Sequence, residues 1–193
     1  IALVDGFGDF RVYKYNGASW DRQQVISLLT AESPTNDGKV SVNYTGTAVV
    51  VGAPFYSASG STDHGAVFLL TRSGASWTSA AYWEGGGSSP RVGASVSVSD
   101  DATTVVYSAP GTSSNAGQVV VRTKVSGSWS GLQTYNGAAG ARLGESIALA
   151  QATNDYIIAS AEGQATAYIY NKSSETWNAS AQAAITNPDS GEL

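Results

Sequence analysis

Four tryptophans, Trp20, Trp77, Trp129 and Trp177, each close the same short phrase. An apolar, largely β-branched run comes first, then a turn of Ser, Gly or Asn, then the Trp. The runs are Phe10–Tyr15, Gly65–Leu70, Gly117–Val121 and Gly163–Tyr170. Recurrence of one phrase at roughly fifty residues is the signature of a repeat architecture, and it limits the fold more than any composition could.

Each unit carries two earlier strands. Ala48–Pro54, Thr104–Pro110 and Tyr156–Ala161 are short, apolar and β-branched, as buried strands are. Before them, Val40–Asn43, Gly93–Val98 and Gly144–Leu149 alternate small or polar with apolar residues, the period-two pattern of a half-buried strand. The Trp opens a fourth, more polar strand such as Trp129–Tyr135. Four short strands per unit with no helical period predict an all-β chain, a β-propeller of four-stranded antiparallel blades. A sandwich would also give many short strands, but not the same four in the same order four times. The expected units are approximately 1–30, 38–84, 91–136 and 142–185, a single propeller segment. Ile1–Gly6 falls at a second-strand position, and Asn187–Leu193 reads as a loop into another first strand. About four blades with one strand missing are therefore expected, in a partial propeller or one completed by a neighbouring chain. An unpaired sheet edge would otherwise invite association.

Composition removes several classes of function. Only 13% of the 193 residues are charged, the net charge is −5, and the ten Lys and Arg are scattered singly. A nucleic-acid partner, which needs a basic stripe, is not expected. With no Cys there is neither a disulfide framework nor a thiolate metal site. No apolar run approaches the roughly 20 residues of a membrane span, so no membrane insertion is expected within this segment. The absence of Met and of a signal segment at Ile1 reads as a processed product or part of something longer.

Val51-Gly52-Ala53-Pro54 followed by Gly65-Ala66-Val67-Phe68 resembles the FG-GAP repeat of integrin α-subunit propellers, and more closely the FG-GAP-like repeats of surface and secreted proteins. Leu143–Ala148 and Val92–Ser97 match the first element of that repeat, Tyr107–Pro110 is a degraded second element and Ala159–Ala161 a weaker one. The resemblance covers nearly the whole chain through ordered recurrence of short words. It implies an extracellular or cell-surface propeller. It also raises calcium, which integrin-type blades often hold on an Asp-rich hairpin because a hard cation wants several oxygens on one tight loop. The matching hairpins, Tyr44–Thr47, Ser99–Thr103 and Gln151–Asp155, lack alternating Asp spacing. Asp100 and Asp101 are the candidate ligands, although adjacent Asp residues in a turn are more often turn formers. No cofactor is expected.

Other motifs weigh little. Gly144-Glu145-Ser146-Ile147-Ala148 looks like a nucleophile elbow, but Ser146 is in register with Ser95 on a first strand, and the only histidine, His64, lies two units away. Gly6-Phe7-Gly8 and Gly85-Gly86-Gly87 precede no helix and read as turns. The fifteen acidic residues form no visible catalytic pair, and neither a sialidase-type Ser-x-Asp-x-Gly-x-x-Trp turn nor an Arg triad is evident. The four repeated tryptophans suit packing between units. Tyr82 and Trp83 break the repeat beside Gly85–Gly87 and are the candidate ligand-binding aromatics. Asn43, Asn171 and Asn178 head N-glycosylation sequons.

These readings converge on a non-enzymatic extracellular module for adhesion or structural assembly. The expected partners are other chains or further blades of the same protein, with glycans as a further possibility. A lectin-like propeller is the alternative. An enzyme ranks third and would show an acidic or Arg-lined pocket at the ring axis.

Overall fold

A computed structural model describes residues 2–4, 9–27, 38–57, 63–87, 90–150 and 155–187. The chain is all-β, and its strands form antiparallel sheets in which sequence neighbours pair. The first sheet has three strands among the described residues: β1 (Ala2–Val4), β2 (Asp9–Tyr15) and β3 (Trp20–Ser27). The second runs β4 (Lys39–Val42), β5 (Ala48–Ala53), β6 (Ala66–Ser73) and β7 (Ser76–Glu84). The third runs β8 (Val96–Val98), β9 (Thr104–Ser108), β10 (Gln118–Val125) and β11 (Ser128–Asn136). The fourth holds β12 (Leu143–Leu149), β13 (Tyr156–Ala161) and β14 (Thr166–Ser173), with β15 (Thr176–Trp177) and β16 (Ala183–Thr186) both paired to β14.

The sheets stack in chain order, and each seam is a separate apolar core. Phe10 and Val12 of β2 meet Val49, Val51, Phe68, Leu70 and Trp77 of the second sheet. The opposite face of that sheet, with Ala48, Val50, Val67 and Leu69, meets Val96, Val98, Val105 and Tyr107 of the third. Val106, Val119, Val121 and Tyr135 then meet Ile147, Leu149, Ile157, Tyr170 and Trp177 of the fourth. This two-sided burial explains why Val49-Val50-Val51 reads as an unbroken apolar run: in a strand successive side chains point to opposite faces, and here both faces are covered. Of the repeated tryptophans, Trp77 and Trp177 are buried in seams and Trp129 packs partly against one, while Trp20 stands exposed.

The fourth strand of the last unit differs from the sequence expectation of one continuous strand from Trp177 through Ala184. Trp177 pairs with Lys172, but Ile169 then lies opposite Ala183 rather than the Ser180 that a continuous ladder would give. Asn178 holds the departure, its N–H donating to the Asn171 carbonyl and its amide to Asn171 Oδ1 at 2.7 Å. Gln182 N–H brings the chain back to the Ile169 carbonyl at 2.7 Å. The residues between leave the ladder, and Ala181 packs onto the seam beneath. Gly6–Gly8, Gln151–Asn154 and Pro188–Leu193 lie outside the described residues.

Candidate functional site

One end of the sheets, where β5 leads to β6 and β7 leads to the next sheet, is built twice on the same backbone plan. Val92 N–H donates to the His64 carbonyl, Arg91 N–H to Asp63 and Gly85 N–H to Gly65. One unit later, Leu143 N–H donates to Ala116, Arg142 N–H to Asn115 and Gly137 N–H to Gly117. Isolated parallel bridges join Gly65 to Val92 and Gly117 to Leu143. The approach is so close that a Cβ on Gly65 would lie 2.2 Å from the Val92 carbonyl oxygen, and one on Gly117 2.2 Å from Leu143 N. The chain then turns through positive φ at Arg91 (56°) and Arg142 (52°), conformations that L-residues adopt at a cost. Two neighbouring sheets thus each present an arginine at the same place.

The arginines share one carboxylate. Glu145 Oε1 accepts from Arg91 Nη2 at 3.2 Å and from Arg142 Nε at 2.8 Å, with a closer contact to Arg142 Nη2. Arg142 Nη1 also reaches Glu162 Oε2 at 3.2 Å, a more exposed pair that solvent screens. Glu145 therefore ties the second-to-third connection to the start of β12.

At the same end, His64 replaces the Ala116 of the next unit and Glu84 replaces its Asn136. His64 is 2% exposed, its Nε2 2.7 Å from Glu84 Oε1. Its Nδ1 is buried without a hydrogen-bond partner, and the ring meets Tyr56 edge-on at 5.3 Å. The Tyr82 hydroxyl donates to the other carboxylate oxygen of Glu84 at 2.6 Å. That hydrogen bond holds the Glu84 carboxyl below its ordinary range, with His64 adding to the effect against a smaller opposing effect of burial. Burial, reinforced by the Glu84 charge, pushes the Tyr82 phenol well above its ordinary value. Glu84 also lines a groove of about 300 Å³ between the second and third sheets, together with Tyr107, Gln118, Arg122 and Thr134.

The residues singled out from sequence fall in several places. Tyr82 and Trp83 occupy opposite faces of β7, as the strand pleat requires of neighbours. Tyr82 belongs to the Glu84 cluster and lies against Phe68 at 5.0 Å. Trp83 packs in the seam, stacked on Tyr107 at 5.9 Å and edge-on to Trp129 at 5.5 Å, with Arg122 over its ring. Asp100 and Asp101 lie at the opposite end of the sheets. Asp100 Oδ1 accepts from Tyr44 N–H at 3.1 Å, linking two hairpins. Asp101 accepts from Ser99 Oγ at 2.6 Å and from Thr103 N–H and Oγ1 at 2.9 and 2.8 Å. Burial works to raise the Asp101 carboxyl, but these hydrogen bonds outweigh it and hold the group low. Both carboxylates thus serve the hairpins, and among the described residues no three His, Cys, Asp or Glu cluster as metal ligands would.

Asn43 is 3% exposed. Its amide nitrogen donates to Thr45 Oγ1, Thr47 Oγ1 and the Asp100 carbonyl, so a sugar in place of one of its two hydrogens would disrupt this buried network. Asn171 and Asn178 hydrogen-bond each other across the break in the last strand. Ser146 sits within β12, its N–H donating to Ser160 Oγ, with no nucleophile turn around it. Sequence reasoning passed over Arg91, Arg142, Glu145 and the partners of His64. A signal was present: Arg91-Val92-Gly93 and Arg142-Leu143-Gly144 are one triplet at one repeat position.

No family model matches the chain, and no curated protein matches it. Solved structures do. A putative 6-phosphogluconolactonase from Bacteroides uniformis superposes with a TM-score of 0.65 at 8% identity, over 93% of this chain and 49% of that one. A second, from Bacteroides fragilis, gives 0.63 at 10% identity with the same coverage. The chain thus spans about half the length of these neighbours, and the likeness shows a shared fold. It corrects the expectation of a non-enzymatic adhesion or assembly module with a lectin as its alternative: proteins of this fold carry an enzyme's name, so the fold gives no ground for excluding catalysis.

Proposed function

We propose that the four sheets are consecutive blades of a β-propeller, and that the end carrying Arg91, Arg142, Glu145, His64 and Glu84 is the working face of an enzyme that opens sugar lactones, the class named for the two structural neighbours. The observation that carries this reading is the pairing of buried His64 with Glu84, which stands where the next unit has Ala116 and Asn136 and lies at the same end as the two arginines. Charged groups on the connections of a rigid β scaffold are where a site is commonly placed. The FG-GAP-like order of Val51–Pro54 and Gly65–Phe68 supports the ring arrangement.

In this reading each residue has a limited task. Arg91 and Arg142 supply the planar donors that suit a phosphate or carboxylate, and Glu145 keeps both guanidinium groups on one side. Glu84, kept ionised by Tyr82, is the acceptor at this end of the sheets for a sugar hydroxyl or the attacking water. Hydrolysis adds hydroxide to the ester carbonyl carbon, breaks its bond to the ring oxygen and puts a proton on that oxygen; the open-chain carboxylic acid formed then releases one proton to become the carboxylate. The test is proton release from 6-phosphogluconolactone by the purified protein, set against the spontaneous rate. Acceleration that falls at least about tenfold in Arg91→Ala/Arg142→Ala supports the reading. A folded protein that leaves the spontaneous rate unchanged overturns it.

A further inference from the structure

The three seams fill one repeat position in different ways. Leu70, Arg122 and Tyr170 each pair with the second residue of the strand before them, Val49, Val105 and Ile157. Leu70 is 0% exposed in the first seam. Tyr170 is 5% exposed in the third, where it stacks on Tyr135 at 3.8 Å. Trp83 is the counterpart of Tyr135, since each pairs with the second residue of its neighbouring strand, Val67 and Val119. In the middle seam the stack of two rings thus becomes a guanidinium over a ring, with Arg122 Cζ 5.9 Å from the Trp83 centroid. A charge stands where the other two seams place an apolar or aromatic side chain, and it is only half-buried.

That charge has no counter-ion. Arg122 Nε donates to the Tyr107 hydroxyl at 3.3 Å, and the two terminal nitrogens have no partner among the described residues. Tyr107 is 5% exposed, and having accepted from Arg122 it keeps its own hydroxyl proton, for which no acceptor stands among the described residues. A partly desolvated cation and a buried hydroxyl proton left without acceptors are both costly. Both residues border the groove of about 300 Å³ between the second and third sheets. Glu84 borders it too, but its carboxylate oxygens are taken, one by His64 and the other by Tyr82. Leu132, directly opposite Arg122 on β11 and 57% exposed, adds an apolar wall together with Val120.

We propose that this groove binds a small organic carboxylate with a flat apolar body. The terminal nitrogens of Arg122 present two parallel N–H groups to the two carboxylate oxygens, the Tyr107 hydroxyl supplies a further donor, and the body lies along Leu132 and Val120. One cation in the lining balances one negative charge. A phosphate dianion would bring a second charge that nothing in the groove matches. The volume is at the small end for small-molecule sites, which excludes a polymer. This site uses neither Arg91 nor Arg142 and does not rest on lactone hydrolysis.

The experiment is isothermal titration of the 193-residue protein with acetate, benzoate and indole-3-acetate up to about 10 mM, with benzamide as the uncharged control. Arg122→Leu copies the residue that the second sheet carries at this position, so the fold should survive; Arg122→Gln is a second variant without the charge. Circular dichroism verifies the fold of each. Benzoate or indole-3-acetate is expected to bind at one site, more tightly than acetate, with benzamide at least about tenfold weaker. Either folded variant should weaken that binding at least about tenfold, whereas Arg91→Ala/Arg142→Ala should leave it unchanged. Absence of binding by all three carboxylates overturns the proposal. So does binding undiminished in a folded Arg122 variant, binding of benzamide equal to that of benzoate, or binding lost in Arg91→Ala/Arg142→Ala.

Discussion

His64 and Glu84 meet at 2.7 Å across the end of one sheet, the imidazole buried and the carboxylate at the rim. The same carboxylate takes the Tyr82 hydroxyl on its other oxygen. Two neutral-capable donors on one ionised acceptor form a charge-assisted cluster, and its stability depends on that acceptor staying ionised.

The pH dependence of this cluster has a definite sign. The Glu84 carboxyl lies below its unfolded range, so its contribution is present above that range and fades as pH falls through the folded value. Tyr82 is raised, so its contribution holds below the ordinary tyrosine range and is lost only as pH rises through the higher folded value. Glu84→Gln is expected to lose about 1 kcal/mol at pH 7, discounted for its rim position, with the gap to the parent closing below about pH 4. Urea unfolding at a series of pH values checks this; a gap unchanged from pH 7 to pH 3 would show that charge plays no part.

Tyr135 and Tyr170 stack at 3.8 Å between the third and fourth sheets, and burial pushes both phenols up to about 12. Ultraviolet titration is expected to show the stacked pair ionising near 12, together with loss of the fold, because a raised folded value means stability disappears as pH rises through it. Tyr135→Phe removes the hydroxyl that donates to the Asn178 carbonyl and should delete one late step.

Asn43 accepts from the N–H groups of Thr47 and Ala48 and donates to the Asp100 carbonyl, joining two hairpins through one buried amide. Asn43→Ala strands those groups and should cost about 2–3 kcal/mol. Asp100→Ala removes one exposed acceptor and should cost under about 1 kcal/mol. Equal losses in chemical denaturation would mean that Asn43 is not the hub.

Gly117→Ala is expected to cost about 3 kcal/mol, because the methyl group would collide with backbone of Leu143 and the residue already sits at φ 82°. A melting temperature within a degree or two of the parent would refute the backbone joint.

Most of the strands were legible because the pleat writes itself into sequence. Ser95-Val96-Ser97-Val98 alternates, and Val49-Val50-Val51 is continuous where both faces are covered. The break after Trp177 was not legible, since Asn178–Gln182 contains no Gly or Pro and its departure is held by a long-range pair with Asn171. The candidate site was hidden for a related reason. Arg91 finds its partner at Glu145, in another unit, and no local pattern announces such a meeting. Tyr82 and Trp83 stood out as a pair in sequence, yet adjacency along a strand is what sends them to opposite faces.

The joints at Gly65–Val92 and Gly117–Leu143 are made by backbone alone, and each is carried wholly by the residues flanking one seam. A duplication that inserts one whole unit would bring its own latch with it, with no compensating change in the units on either side. Growth of such a chain by gene duplication is therefore cheap at the seams, and divergence is left free to act on the connections that carry the charged groups.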